Sequence, residues 1–147
     1  MKITDALIGE HSVFHSLFDH IERVLPRLGS LAELKVMAGM LEALMESHSH
    51  AEDDLLLAPL DHCLAQLGQQ ENFRHEHDAI EAGLRQVRTA RSLPSGRKAL
   101  HAVVLASRTH FDREERVLFP LAEKVLKART LTELGARWEQ ERQAKAG

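Results

Sequence analysis

Residues 110–120 read HFDREERVLFP (His110 to Pro120), and residues 48–59 read HSHAEDDLLLAP (His48 to Pro59). Each stretch sets a histidine four residues ahead of a glutamate, His48 with Glu52 and His110 with Glu114, and then runs through leucine-rich sequence into a proline. On a helix, two residues four apart are separated by about 6 Å along the axis and about 40° around it, so both side chains face the same way. Upstream of each stretch stands a Glu-His pair, Glu10-His11 before the first and Glu76-His77 before the second. The chain therefore repeats itself. Two helical hairpins, each giving two histidines and a carboxylate, are what a dinuclear site between four helices requires.

The surrounding pattern supports an all-α reading. Strand signals are scarce, with 4% aromatic residues and no long alternation of apolar and polar positions. A first helix is expected from about Thr4 to Val24, capped by Thr4 or Asp5 and stopped near Pro26 and Gly29. A second opens on the capping box Ser30 and Glu33 and runs to about Pro59. A connection over 60–68 precedes a third helix at about 70–91. The loop 92–96 precedes a fourth at about 97–127, bent at Pro120. Thr130 and Glu133 read as another capping box, opening a short C-terminal helix that carries Trp138, the only tryptophan. Short links favour an up-down-up-down four-helix bundle over about 4–128, with the closing helix at about 130–143, all within one domain over 1–147.

Apolar stripes at spacings of three, four and seven mark the interior faces: Leu7, Phe14, Phe18, Ile21 and Leu25; Leu34, Leu41, Leu44, Leu55 and Leu56; Phe73, Ile80, Leu84 and Val87; Leu100, Val103, Leu118, Leu121 and Val125. Each is interrupted, in step, by a histidine: His11, His48, His77 and His110. An unpaired buried carboxylate costs several kcal/mol even after relaxation, roughly. A metal ion removes that cost by taking the imidazole lone pairs and the carboxylate charge together. Imidazole and carboxylate without thiolate suit iron or manganese, with zinc also admissible.

Equal distances from the turn near Gly29 place His11 and His48 at one height, and equal distances from Pro94 do the same for His77 and His110. The link between the second and third helices fits less well unless the residues after Pro59 overhang the bundle.

The other counts set bounds. At 147 residues the chain is long enough to bury a core. A net charge of -3 implies no general attraction to nucleic acid or anionic membrane. The single cysteine, Cys63, excludes an internal disulfide and a thiolate cluster, and reads as a small buried or partly buried hydrophobe. Without a signal-like apolar run or a membrane span, the expectation is a cytoplasmic protein. Of the ten histidines, His20, His50, His62, His75 and His101 read as surface residues. Glu10 and Glu76 read as exposed acids able to orient imidazoles, Glu115 as a surface charge or such a partner, and the charged run 137–145 as solvated helix.

Taken together, Glu10-His11, His48 to Asp53, Glu76-His77-Asp78 and His110 to Pro120 resemble the hemerythrin-like, or HHE cation-binding, domain family over nearly the whole bundle. The resemblance implies two iron ions bridged by Glu52, Glu114 and an oxo or hydroxo group. It also implies binding of, or reaction with, dioxygen, peroxide or nitric oxide, in storage, sensing or redox response. Oxygen-carrying hemerythrins have two histidines one turn apart on the third helix. Here Phe73 and Glu81 flank His77 at that spacing, while His15 follows His11 by one turn. His15 thus joins His11, His48, Glu52, His77, His110 and Glu114 as a candidate ligand, with Glu81 less favoured. This departure leaves peroxidase-like, catalase-like or ferroxidase roles open beside binding. A metal-free helical interaction bundle is the third reading.

Overall fold

The computed structural model describes residues 1–147 as helices joined by short turns. Helix α1 spans Ile3–Val24 and closes in a 3-10 turn, Leu25–Arg27, that contains Pro26. Helix α2 covers 31–66 in three consecutive pieces: α-helical Leu31–Glu52, a π turn Asp53–Leu57, and α-helical Ala58–Gln66. Helix α3 is Asn72–Thr89. Helix α4 covers 93–125, again in three pieces: Leu93–Arg113, a π turn Glu114–Leu118, and Phe119–Val125. Helix α5 is Ala128–Ala146. The first four pack side by side as a bundle, and α5 lies along α1.

Several boundaries differ from expectation for local reasons. Lys2, not Thr4 or Asp5, is the cap of α1. The Ser30 hydroxyl accepts the Glu33 amide as expected, but the Glu33 carboxylate takes its return bond from Gly29. Ser92 caps α4 through the Ser95 amide, so Pro94 and Gly96 lie inside the first turn, where a proline loses no hydrogen bond. Helix α5 starts two residues before Thr130, and Glu133 pairs with Arg129 instead of closing a capping box.

The larger correction is at Pro59, which does not stop its helix; Pro120 lies within its helix, as expected. Immediately before each proline, Ala58 and Phe119 bond to carbonyls five residues back, Asp53 and Glu114. The wider turn takes the backbone past a ring that would clash with the carbonyl four residues earlier. The segment after Pro59 is helical, not a loop, and it stays against the start of α3, where Asp61 pairs with Arg74 at 2.8 Å.

The apolar side chains form two clusters. One, with Phe18, Leu25, Leu34, Leu41, Leu84, Val87 and Leu100, fills the end near the α1–α2 and α3–α4 turns. The other joins Ile3, Leu7, Leu57, Leu60, Phe73, Leu118, Leu131 and Leu134 at the opposite end. Each fully buried leucine contributes about 1.5–3 kcal/mol. Leu44 and Val125, expected inside, are exposed on the outer faces of their helices. Between the two clusters lies a polar layer.

Candidate metal centre

That layer holds His11, His48, Glu52, His77, His110 and Glu114, each buried. The four bundle helices contribute at one height: α1 gives His11, α2 His48 and Glu52, α3 His77, and α4 His110 and Glu114. One group of converging atoms comes from Glu52, His77, His110 and Glu114, and a second from His11, His48 and Glu114. The Glu114 Oε1 atom is 2.6 Å from His110 Nε2 and 3.5 Å from His77 Nε2, while its Oε2 is 3.2 Å from His11 Nε2. Glu52 Oε2 lies 3.4 Å from His77 Nε2 and 3.6 Å from His48 Nε2. Both carboxylates therefore stand between the two histidine pairs.

These contacts are not good hydrogen bonds. The Nε2 atoms of all four imidazoles and all four oxygens of Glu52 and Glu114 are buried without a hydrogen-bond partner. Buried polar groups left in this way cost about 1–3 kcal/mol each. Eight converging in one layer fit cations: donors on one ion at about 2.1 Å lie about 3 Å apart. The donor set is nitrogen and oxygen throughout.

The other ring nitrogens explain the aim. His48 Nδ1 meets Glu10 at 2.7 Å, His77 Nδ1 meets Asp53 at 3.2 Å, His110 Nδ1 meets Glu76 at 2.6 Å, and His11 Nδ1 meets Glu115 at 2.9 Å. Each carboxylate comes from a different helix and holds the imidazole of the next, so the four bonds run in a closed ring α1 to α2 to α3 to α4 to α1. A carboxylate on Nδ1 fixes the proton there and turns the Nε2 lone pair inward, as around metal-bound histidines. Glu10 and Glu76, expected as exposed acids, are half-buried and bonded. Asp53 was not anticipated. A signal existed, since it follows Glu52 as Glu115 follows Glu114.

The electrostatics are those of a site built for positive charge. Burial, reinforced by the Glu114 charge, raises the Glu52 carboxyl. Burial pushes Glu114 the same way, but the imidazoles of His11, His110 and His77 crowded against it outweigh burial and hold that carboxyl well below the usual range. Burial disfavours a charged His77, yet Asp53, Glu114 and Glu52 together push it up to about 12. His11 and His110 are raised in the same way, against burial, chiefly by Glu114.

His15 is not part of this layer. Its Nδ1 lies 3.2 Å from Arg108 Nη1, and its ring meets Phe18 and Phe111 edge-on. Phe111 in turn stacks on His11 with centroids 3.9 Å apart. One turn along α1 thus carries His15 to the level of the aromatic packing. Glu81 is exposed and pairs with Arg85, and Cys63 is half-buried on α2 away from the donors. His20, His50, His62, His75 and His101 are exposed, as expected.

A layer of imidazoles and carboxylates enclosed by an antiparallel four-helix bundle defines a metal-binding bundle protein. The model of the hemerythrin HHE cation-binding domain matches residues 2–122, and a second, overlapping match covers 69–144. The chain belongs to that family. The second match begins just ahead of Glu76-His77, where the internal repeat restarts. No curated protein and no solved structure matches the chain. No helix is long and apolar enough to cross a membrane.

Proposed function

We propose that the chain is a non-haem di-iron protein that binds or reacts with dioxygen, peroxide or nitric oxide, in storage, sensing or redox response. The observation that carries this reading is the convergence of eight unpartnered donor atoms inside a ring of orienting carboxylates. His77 and His110 would hold one ion, His11 and His48 the other, and Glu52 and Glu114 would link the two. Iron there would supply the redox change and the open coordination position that a small oxidant needs. The chain's own groups do the rest. Glu10, Asp53, Glu76 and Glu115 keep the Nε2 lone pairs turned inward. Phe111 and Phe119, buried beside His11, keep bulk water from that flank. A cleft lined by Glu46, Asp53, Asp78 and Glu81, with Arg88 paired to Glu42 on its wall, reaches His77, and its excess of acids favours entry of a cation.

Metal analysis with an absorption spectrum, on wild type beside His110→Ala, tests the reading. Protein expressed with iron supplied is expected to hold two irons per chain, and the variant to lose at least one together with the visible bands. Wild type with well under one iron per chain, or a spectrum indifferent to the substitution, would refute it. Titrating the reduced protein with dioxygen and then peroxide separates the roles: a reversible change indicates binding, and steady turnover indicates catalysis.

A further inference from the structure

The two halves of the repeat are not equally self-sufficient. In the second half, Glu76 Oε2 faces His110 Nδ1 at 2.6 Å while Glu76 Oε1 accepts a hydrogen bond from Arg113 on α4 itself. The Arg113 guanidinium is steadied by Gln69 at 2.9 Å and lies over the Phe73 ring, 4.5 Å from its centre. Transferring that arrangement to the first half by the repeat, His110 becomes His48, Glu76 becomes Glu10, Phe73 becomes Leu7, and Arg113 becomes Ala51. An alanine can neither donate to Glu10 nor balance its charge. Ala51 is buried, in the apolar cluster against which Trp138 packs.

The missing cation comes from outside the bundle. Arg142 of α5 donates from Nε to Glu10 Oε1 at 2.7 Å, and Trp138 Nε1 donates to the same oxygen at 3.1 Å. Glu10 Oε2 then faces His48 Nδ1 at 2.7 Å, the atom-for-atom counterpart of Glu76. Arg142 also stands 5.5 Å from the Trp138 ring centre and is anchored to Ser47 through its hydroxyl and carbonyl oxygens, at 3.1 and 3.3 Å. The run 137–145, which reads as solvated helix, therefore has one face committed to the site.

We infer that Arg142 is a positioning residue for the His48 half of the metal centre, acting through Glu10, and that α5 supplies to the first hairpin what Arg113 supplies within the second. The inference rests on the metal reading above. With Arg142 in place, Glu10 is fixed by two donors and holds the His48 ring in one orientation. Without it, Glu10 keeps only the longer, neutral Trp138 bond and no balancing charge, and His48 is aimed less firmly.

Cobalt(II), a redox-inert probe with a coordination-sensitive visible spectrum, tests this on the full-length metal-free protein. Wild type is expected to take two equivalents. Arg142→Gln is expected to bind one equivalent normally and the other about tenfold more weakly, with changed visible bands. Arg142→Lys should recover part of the loss. Glu10→Gln should weaken the same equivalent, and adding Arg142→Gln to it should cost nothing further, which a purely structural role for α5 would not produce. Melting of the metal-free variants by circular dichroism identifies any that lose α5 packing. If Arg142→Gln titrates like wild type while Glu10→Gln does not, or if the two losses simply multiply in the double variant, the inference fails alone. If wild type takes up no cobalt, the metal reading fails and the inference with it.

Discussion

Each of the six buried groups carries a cost that only its neighbours offset, and Glu52 shows this most plainly. Its carboxylate is fully buried beside Glu114, and both its oxygens lack hydrogen-bond partners. In the metal-free protein Glu52→Gln is therefore expected to raise the melting temperature, by about 1–3 kcal/mol of stability, while abolishing one metal equivalent. Calorimetry with and without metal checks both signs. The titrating groups make a second prediction. Glu52 and His77 bind protons more tightly folded than unfolded, so their contribution is full below their ordinary values of 4.5 and 6.5. It is lost as pH rises through the folded values, about 12 for His77. Glu114 runs the other way: its contribution is present above 4.5 and lost as pH falls through its depressed value. Melting curves of metal-free protein should accordingly fall off on both flanks, and bound metal, which replaces the protons, should flatten the alkaline one. These six residues were legible in the sequence because ionisable groups broke an apolar stripe without breaking its period. His15 kept the same spacing from His11, but one turn further along α1, about 6 Å, it stands against Arg108, Phe18 and Phe111 and not among the converging donors. The ring of acids was harder to see. Each sits beside a ligand in sequence, yet serves a ligand on another helix.

Among the elements, the two π turns decide how the ligand-bearing helices continue. Pro59 in sequence reads as a stop with a connection after it, whereas the chain stays helical to Gln66. The turn type could not be foreseen because it depends on a carbonyl finding a donor five residues on, a register that no spacing of side chains announces. Helix α5 was foreseen as an element but not as a contributor, since its Arg142 differs from neighbouring solvated charges only in what lies opposite. Its docking is close. A Cβ on Gly135 would fall 2.1 Å from the Met1 carbonyl oxygen, 3.0 Å from the Lys2 carbonyl carbon and 3.1 Å from the Ile3 nitrogen. Backbone cannot swing aside as a side-chain tip does. Gly135→Ala is therefore expected to cost about 1–3 kcal/mol by overpacking. Chemical denaturation measures the loss, and quenching of Trp138 fluorescence by added iodide should rise as α5 lifts from α1.

For the whole molecule, a polar layer between two apolar clusters means that core and site share the same helices. The fold class was readable from periodicity alone, and the pairing of the hairpins from the repeat. What the sequence withheld was how the hairpins are tied to each other. Two bonds of the carboxylate ring lie within hairpins, Glu10 to His48 and Glu76 to His110, and two cross between them, Asp53 to His77 and Glu115 to His11. Removing one crossing bond, with Asp53→Asn, is expected to weaken metal binding roughly 10–100-fold, measured by competition with a chelator of known affinity. The closed ring has a mechanical consequence too. Rotating α1 about its own axis would withdraw Glu10 from His48 and His11 from Glu115 together, and the same double penalty meets each of the other three rods. Like four meshed wheels in a circle, none can slip by itself. Amide exchange in the middle of all four should then slow in concert when metal is added, with protection spreading across both hairpins at once.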